Sequence, residues 1–183
     1  MSKEGRHPSR SNQAPEPQLI TLNSSSNTAT GLVSPPLSED ELATLPITQR
    51  LERMTIILFQ TVNAKDFDSP IISRYLSSTF RSDDFDRFIP SSGSLNSYID
   101  ELRKASRGDV VYDHQITSTC AEVDEDLGQA TVWATLRTTV MPYGHLVQET
   151  VNRLRWVFKG RQMGWVCTEH CGIRGGGELG VAG

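Results

Sequence analysis

The chain has 183 residues, 37% of them hydrophobic and 22% charged, with a formal net charge of -4. That length accommodates one domain with a tail rather than two. The mild acidity lacks the basic footprint of a nucleic-acid binder, and the longest apolar runs, such as Ile56-Ile57-Leu58-Phe59, stop at four residues, far short of a bilayer span.

Lys3, Arg6 and Arg10 are followed by no apolar stretch, so the sequence predicts no secretory signal. Three cysteines, an odd number, then predict reduced thiols and a cytoplasmic protein. Six of the nine prolines lie at or before Pro46, and all thirteen aromatic residues lie at or after Phe59. Residues 1-45, rich in Ser, Asn, Thr and Pro, bury too little apolar area to offset their ordering entropy and are expected to be a disordered tail. The glycines from Gly175 onward predict a flexible C-terminus over 175-183. Residues 46-174 remain for one domain, large enough to fold without a disulfide or metal.

Within that domain Ile47, Leu51, Met54, Leu58 and Val62 recur at helical spacing, which predicts a helix from about Thr48 to Ala64. Asp66-Phe67-Asp68 breaks it. Asp68 is the expected N-cap of a short second helix that starts at Pro70 and runs through Tyr75 and Leu76. Leu95, Tyr98, Ile99 and Leu102 predict a third helix, opened by Ser94 and closed near Gly108.

Beyond Gly108 the hydrophobic period becomes two. Tyr112, His114, Ile116, Ser118 and Cys120 share one face of a strand, and Val111, Asp113, Gln115 and Thr117 the other. A polar turn at Asp124 to Gly128 leads into a second strand, Gln129 to Met141. Pro142-Tyr143-Gly144 turns into a third, Leu146 to Phe158, with Asn152, Leu154, Trp156 and Phe158 together. After Lys159-Gly160-Arg161 the last strand, Met163 to Ile173, places Trp165, Cys167, Glu169 and Cys171 on one side. Helices followed by an antiparallel meander give an α+β class with helices on one sheet face.

This order resembles the nuclear transport factor 2-like fold and, within it, the SnoaL-like polyketide cyclase group of fungal type. The likeness rests on VNAKDFDSP (Val62 to Pro70), VVYDHQITSTCAEVDEDLGQATVWATL (Val110 to Leu136) and NRLRWVFKGRQMGWVCTEHC (Asn152 to Cys171). It covers nearly all of the core and none of the tail, and it is a likeness of pattern rather than of an invariant motif. The resemblance implies a cone, in which three N-terminal helices lid a curved antiparallel sheet around a pocket. Relatives on this fold include ketosteroid isomerase, scytalone dehydratase and many non-catalytic proteins, so activity must be argued from the site.

His114, on the more apolar face of its strand, is the first acid/base candidate. Glu169, sharing a face with Trp165 and Cys167, is the second, because an aromatic wall raises a carboxyl pKa toward the useful range. A slip of one residue would put His170 in its place. Asn152 is a candidate to hold a substrate carbonyl or enolate oxygen, or else a structural amide. Tyr112 and Tyr75 are candidate phenolic donors, and Trp156 and Trp165 candidate pocket walls. Asp66 and Asp68 read as helix stop and cap. In the family an acid/base aspartate lies on a sheet strand. Asp113 is the match by position, yet its alternation points it outward.

Cys167, His170 and Cys171 do not read as a metal site. Positions four apart on a strand are roughly 13 Å apart, at about 3.3 Å per residue, too far for one zinc. On the opposite face Trp133, Arg137, Val151, Arg153, Arg155 and Val157 have interface composition and predict a homodimer. The resulting expectation is a cofactor-free cyclase that closes an aldol or lactone ring on a small apolar, carbonyl-rich substrate, with no nucleic acid or membrane involved. The alternative is a non-catalytic ligand-binding or protein-interaction module of the same fold.

Overall fold

The computed structural model describes residues 38–83, 92–107, 111–141 and 146–174. Most of the expected N-terminal tail, Gly108, the Pro142-Tyr143-Gly144 turn and the glycine-rich C-terminus lie outside the described residues.

Helix α1, Glu39–Thr44, lies ahead of the expected boundary at Pro46. Ser38 caps it reciprocally: its hydroxyl accepts from the Glu41 N–H at 3.3 Å, and the Glu41 carboxylate accepts the Ser38 N–H at 2.7 Å. Leu42 is the buried residue that docks this single turn and a half into the core.

Helix α2, Ile47–Asn63, buries Leu51, Met54 and Leu58 of the apolar stripe. It ends in a Schellman arrangement, with Asp66 N–H on Thr61 O at 3.2 Å and Lys65 N–H on Val62 O at 3.0 Å. Lys65 occupies the left-handed position (φ 56°) that usually selects glycine. Helix α3, Pro70–Tyr75, is capped by Ser69 rather than Asp68: the Ser69 hydroxyl accepts the Ile71 N–H at 3.4 Å. Asp68 instead pairs with Arg103 at 2.6 Å. Helix α4, Leu95–Ala105, is capped by Ser94 and buries Tyr98, Ile99 and Leu102.

Among the described residues five strands form one sheet: β1 (Leu76–Ser82), β2 (Val111–Asp124), β3 (Gln129–Met141), β4 (Leu146–Phe158) and β5 (Trp165–Arg174), in spatial order β1-β5-β4-β3-β2. Strand β1 is not among the expected elements, and its first residue, Leu76, is the expected end of the second helix; the strand runs parallel to β5 and makes one edge. The remaining pairs are antiparallel. The sheet is curved and unclosed.

Its inner face carries Ala130, Val132, Leu154, Trp156 and Cys167, packed against Leu51, Met54, Leu58, Ile72, Phe80 and Tyr98 from the helices and β1. Full burial of each large apolar side chain stabilises by about 1.5–3 kcal/mol. Among the described residues no helix is long and apolar enough to cross a membrane.

Two bulges fix which side chains face this core. In β2 the ladder passes from Ile116↔Leu136 to Ser118↔Thr135, leaving Thr117 extra. In β5 it passes from Trp156↔Cys167 to Arg155↔Glu169, leaving Thr168 extra. Each extra threonine turns its hydroxyl onto a carbonyl of the neighbouring strand, Thr117 on Thr135 O (3.2 Å) and Thr168 on Arg155 O (3.4 Å). A bulge bends its strand and reverses the alternation beyond it. Ser118 and Cys120 therefore join the outer face, opposite Thr135 and Trp133, and not the His114 face that strict alternation predicts.

Candidate functional site

The Thr168 bulge decides the chemistry of the site. Beyond it Glu169 pairs with Arg155 and His170 with Leu154, so the imidazole turns inward and the carboxylate outward. Glu169 meets Arg153 at 2.7 Å and Arg155 at 3.6 Å on the outer face. The two acid/base candidates, His114 and Glu169, do not meet: they stand on opposite sides of the sheet. Cys171 likewise leaves the Cys167 side and pairs across the outer face with Arg153.

Inside, a polar track crosses the apolar surface. His170 Nε2 lies 2.9 Å from Asn152 Oδ1, and Asn152 Nδ2 donates to Thr150 Oγ1 at 3.0 Å. On neighbouring strands His114 Nδ1 lies 2.8 Å from Thr138 Oγ1. Asn152 and Thr138 are 5% and 8% exposed, whereas both imidazoles are half-buried. The Asn152 amide orientation assigns the His170 tautomer. Its oxygen can only accept, so His170 donates from Nε2 and Nδ1 keeps the lone pair. Burial, and next the neighbouring His114, push the His170 imidazole down to about 4, so it is neutral at pH 7. The Phe59 ring stands edge-on to it, centroids 5.9 Å apart at 79°.

Helix α2 secures the β2 edge. Asn63 Nδ2 donates to His114 O at 2.6 Å, and His114 N–H donates to Asn63 Oδ1 at 3.3 Å. Further along, Ala121 N–H donates to Glu52 at 3.0 Å. An edge strand would otherwise expose these groups.

The other expected site residues lie elsewhere. Trp156 is 0% exposed and fills the core, so it presents no wall to a ligand, and the candidate donor Tyr75 packs against it in the core at 6.4 Å. Burial raises the Tyr75 phenol and, more strongly, the Cys167 thiol. Trp165 packs on Phe158 at 5.7 Å, at the end of β5 away from His170. Asp113 is exposed on the outer side of β2. The side chain of Tyr112 lies outside the described residues. Asn152 spends both amide atoms on His170 and Thr150 rather than facing a substrate oxygen. Among the described residues no three of His, Cys, Asp and Glu gather as metal ligands.

Thr138 and Thr150 share the inner parity of Leu136 and Asn152, a signal the alternation already carried. Phe59 and Asn63 could not be placed that way, because nothing in a helix sequence names the strand it will meet.

No protein-family profile and no curated protein matches the chain. Solved structures do. The CaMKII hub of S. rosetta superposes with TM-score 0.60 at 11% identity, covering 72% of this chain and 98% of its own. A nuclear transport factor 2-like protein of unknown function from Pseudomonas putida gives 0.58 at 9%, covering 69% and 85%. A protein from Catenulispora acidiphila in complex with S-DNPA gives 0.52 at 12%, covering 68% and 90%. At these identities the likeness is one of fold, and the fold is nuclear transport factor 2-like.

Proposed function

We propose that the inner face is a cofactor-free acid/base site for ring closure on a carbonyl-rich, polyketide-type substrate, of the SnoaL-like cyclase kind. The observation that carries this reading is the His170–Asn152–Thr150 chain. It holds a neutral imidazole in one tautomer, inside an apolar surface, with no hydrogen-bond partner on Nδ1 among the described residues. In this reading His170 Nδ1 removes the proton from a carbon between two carbonyls. The resulting enolate carbon attacks a carbonyl of the same chain, the new alkoxide takes a proton from His114, which Thr138 orients, and the His170 imidazolium then returns its proton through water to His114, so that both rings end as they began. A C–H bond breaks and a C–C bond forms, with no change of oxidation state. An imidazole pushed down to about 4 is a weak base, which favours carbon acids activated by two carbonyls.

The test uses a 1,3,5-tricarbonyl probe, with deuterium exchange and cyclised product followed by NMR. His170→Ala should abolish both, and His114→Ala should leave exchange while slowing closure. Turnover retained in His170→Ala would end this reading.

A non-catalytic ligand-binding module is the second reading. It is favoured by the internal satisfaction of Asn152 and Thr138, and by the Catenulispora protein's complex with S-DNPA. Mass spectrometry of small molecules carried through native purification separates the two: a stoichiometric compound recovered unchanged supports the module. The outer face, where Val151 and Arg155 are exposed beside a half-buried Trp133, fits a second copy of the chain. Sedimentation showing only monomer at micromolar concentration would remove that pairing. The three free cysteines fit a reducing compartment, hence the cytoplasm.

A further inference from the structure

We infer that Asn63, the last residue of α2, is a positioning residue: its carboxamide holds the edge of β2 so that the His114 imidazole is fixed against Thr138. The inference deepens the proton-transfer reading and rests on it for its functional consequence, though not for its geometry.

β2 is the edge opposite β1, and among the described residues it pairs with β3 alone. On such an edge alternate residues turn their N–H and C=O away from the ladder. His114 is one of these, because both its backbone groups go to Asn63, at 2.6 Å and 3.3 Å, from 51 residues away in sequence. It follows that His114 and Thr138 form a non-hydrogen-bonded pair, the narrow kind with Cα atoms about 4.5 Å apart and side chains closest. The 2.8 Å contact between His114 Nδ1 and Thr138 Oγ1 depends on that narrow spacing.

A carboxamide offers one donor and one acceptor side by side, as a neighbouring strand would. Asn63 therefore supplies the missing strand at one residue, and that residue bears an imidazole.

The same turn of α2 reaches the second imidazole. Phe59 lies four residues before Asn63, on the same helical face, and its ring stands edge-on to His170. Strands β2 and β5 are separated by β3 and β4, so one helical turn spans the two strands that carry the imidazoles. Glu52 makes a comparable tie to the β2 backbone, at Ala121, but no imidazole stands there. It serves as the control for a purely structural role.

The experiment records ring 15N–1H spectra of histidine-labelled full-length protein without substrate, then kcat and KM on the tricarbonyl probe. In Asn63→Leu the hydrogen-bonded Nδ1 signature of His114 should disappear, and kcat should fall about 100-fold with KM within about twofold. In Glu52→Ala the ring signature should be unchanged. Should Asn63→Leu not fold, Asn63→Asp keeps the acceptor and loses the donor, and the His114 signature should shift part of the way. An unchanged His114 ring in the folded Asn63 variant, or an equal loss in Glu52→Ala, overturns the inference. A displaced ring with turnover intact supports the positioning and removes His114 from the reaction, so the two ideas fail separately.

Discussion

Strands β3 and β4 pair residue for residue from Gln129↔Val157 to Val140↔Leu146 without a shift in register. Strands β2 and β5, which flank them, each lose one step at a threonine. The regular pair supplies packing: Val132, Ala134, Leu154 and Trp156 all turn inward from it and all are buried. The bulged pair supplies the imidazoles, His114 from β2 and His170 from β5. In β5 the extra residue also decides that an imidazole and not a carboxylate faces the core. The regular pair thus accounts for stability, and the bulged pair for what the inner face can do.

If that division holds, its largest test lies in the regular pair. Trp156→Ala should destabilise by about 3–5 kcal/mol, because a wholly buried indole leaves a cavity that fixed strands cannot close. Urea unfolding with unchanged m-value measures it. A cost under about 1 kcal/mol would show that the core tolerates the loss and that stability resides elsewhere.

Deleting Thr168 makes β5 as regular as β4. The residues beyond keep their partners, Glu169 with Arg155 and His170 with Leu154, because the deletion removes only the unpaired position. His170 should stay against Phe59 and keep its low titration. The lost bend should cost about 1–3 kcal/mol. A carboxylate turned inward in this variant, seen as a broken Arg153–Glu169 pair, would contradict the observed register.

Stability should also depend on the His170 proton. The folded imidazole is pushed down to about 4 from an ordinary 6.5, so between those values the unfolded chain binds a proton that the folded chain refuses. The contribution is fully present above pH 6.5 and is lost as the pH falls through that window. The first unit below pH 7 should cost on the order of half a kcal/mol. His170→Gln should flatten that slope while keeping a donor toward Asn152. A slope unchanged in that variant would assign it to another group.

The same division explains what the sequence could convey. Spacings of three and four gave α2 to within a residue and α4 to within about three, and Pro70 gave α3, since helical periodicity needs no knowledge of partners. Alternation placed Asn152, Leu154 and Trp156 on one inner face, because β4 is regular there. It misplaced Ser118, Cys120, Glu169 and Cys171, all of them beyond a bulge. A period-two pattern carries no mark of an extra residue, and threonine suits a regular strand as well as a bulge. Strand β1 stayed hidden because its pairing comes from β5, nearly ninety residues later, and not from its own serines. His170 was legible only as the partner of a one-residue slip, and the bulge is that slip.

The smallest effect tests the outer side. Glu169 sits with Arg153 and Arg155, side chains 29% exposed for the acid and 28% and 55% for the arginines. An ion pair so wet gains little over its hydrated ends. Glu169→Gln keeps the shape and an oxygen for Arg153, so it should cost only a few tenths of a kcal/mol. It should also leave the His170 and His114 ring spectra unaltered, since the carboxylate and the imidazoles stand on opposite faces. The two readouts must agree for the bulge assignment to stand. If the His114 ring moved when Glu169 lost its charge, the carboxylate would have to reach the inner face, and the Thr168 bulge could not be where the ladder places it.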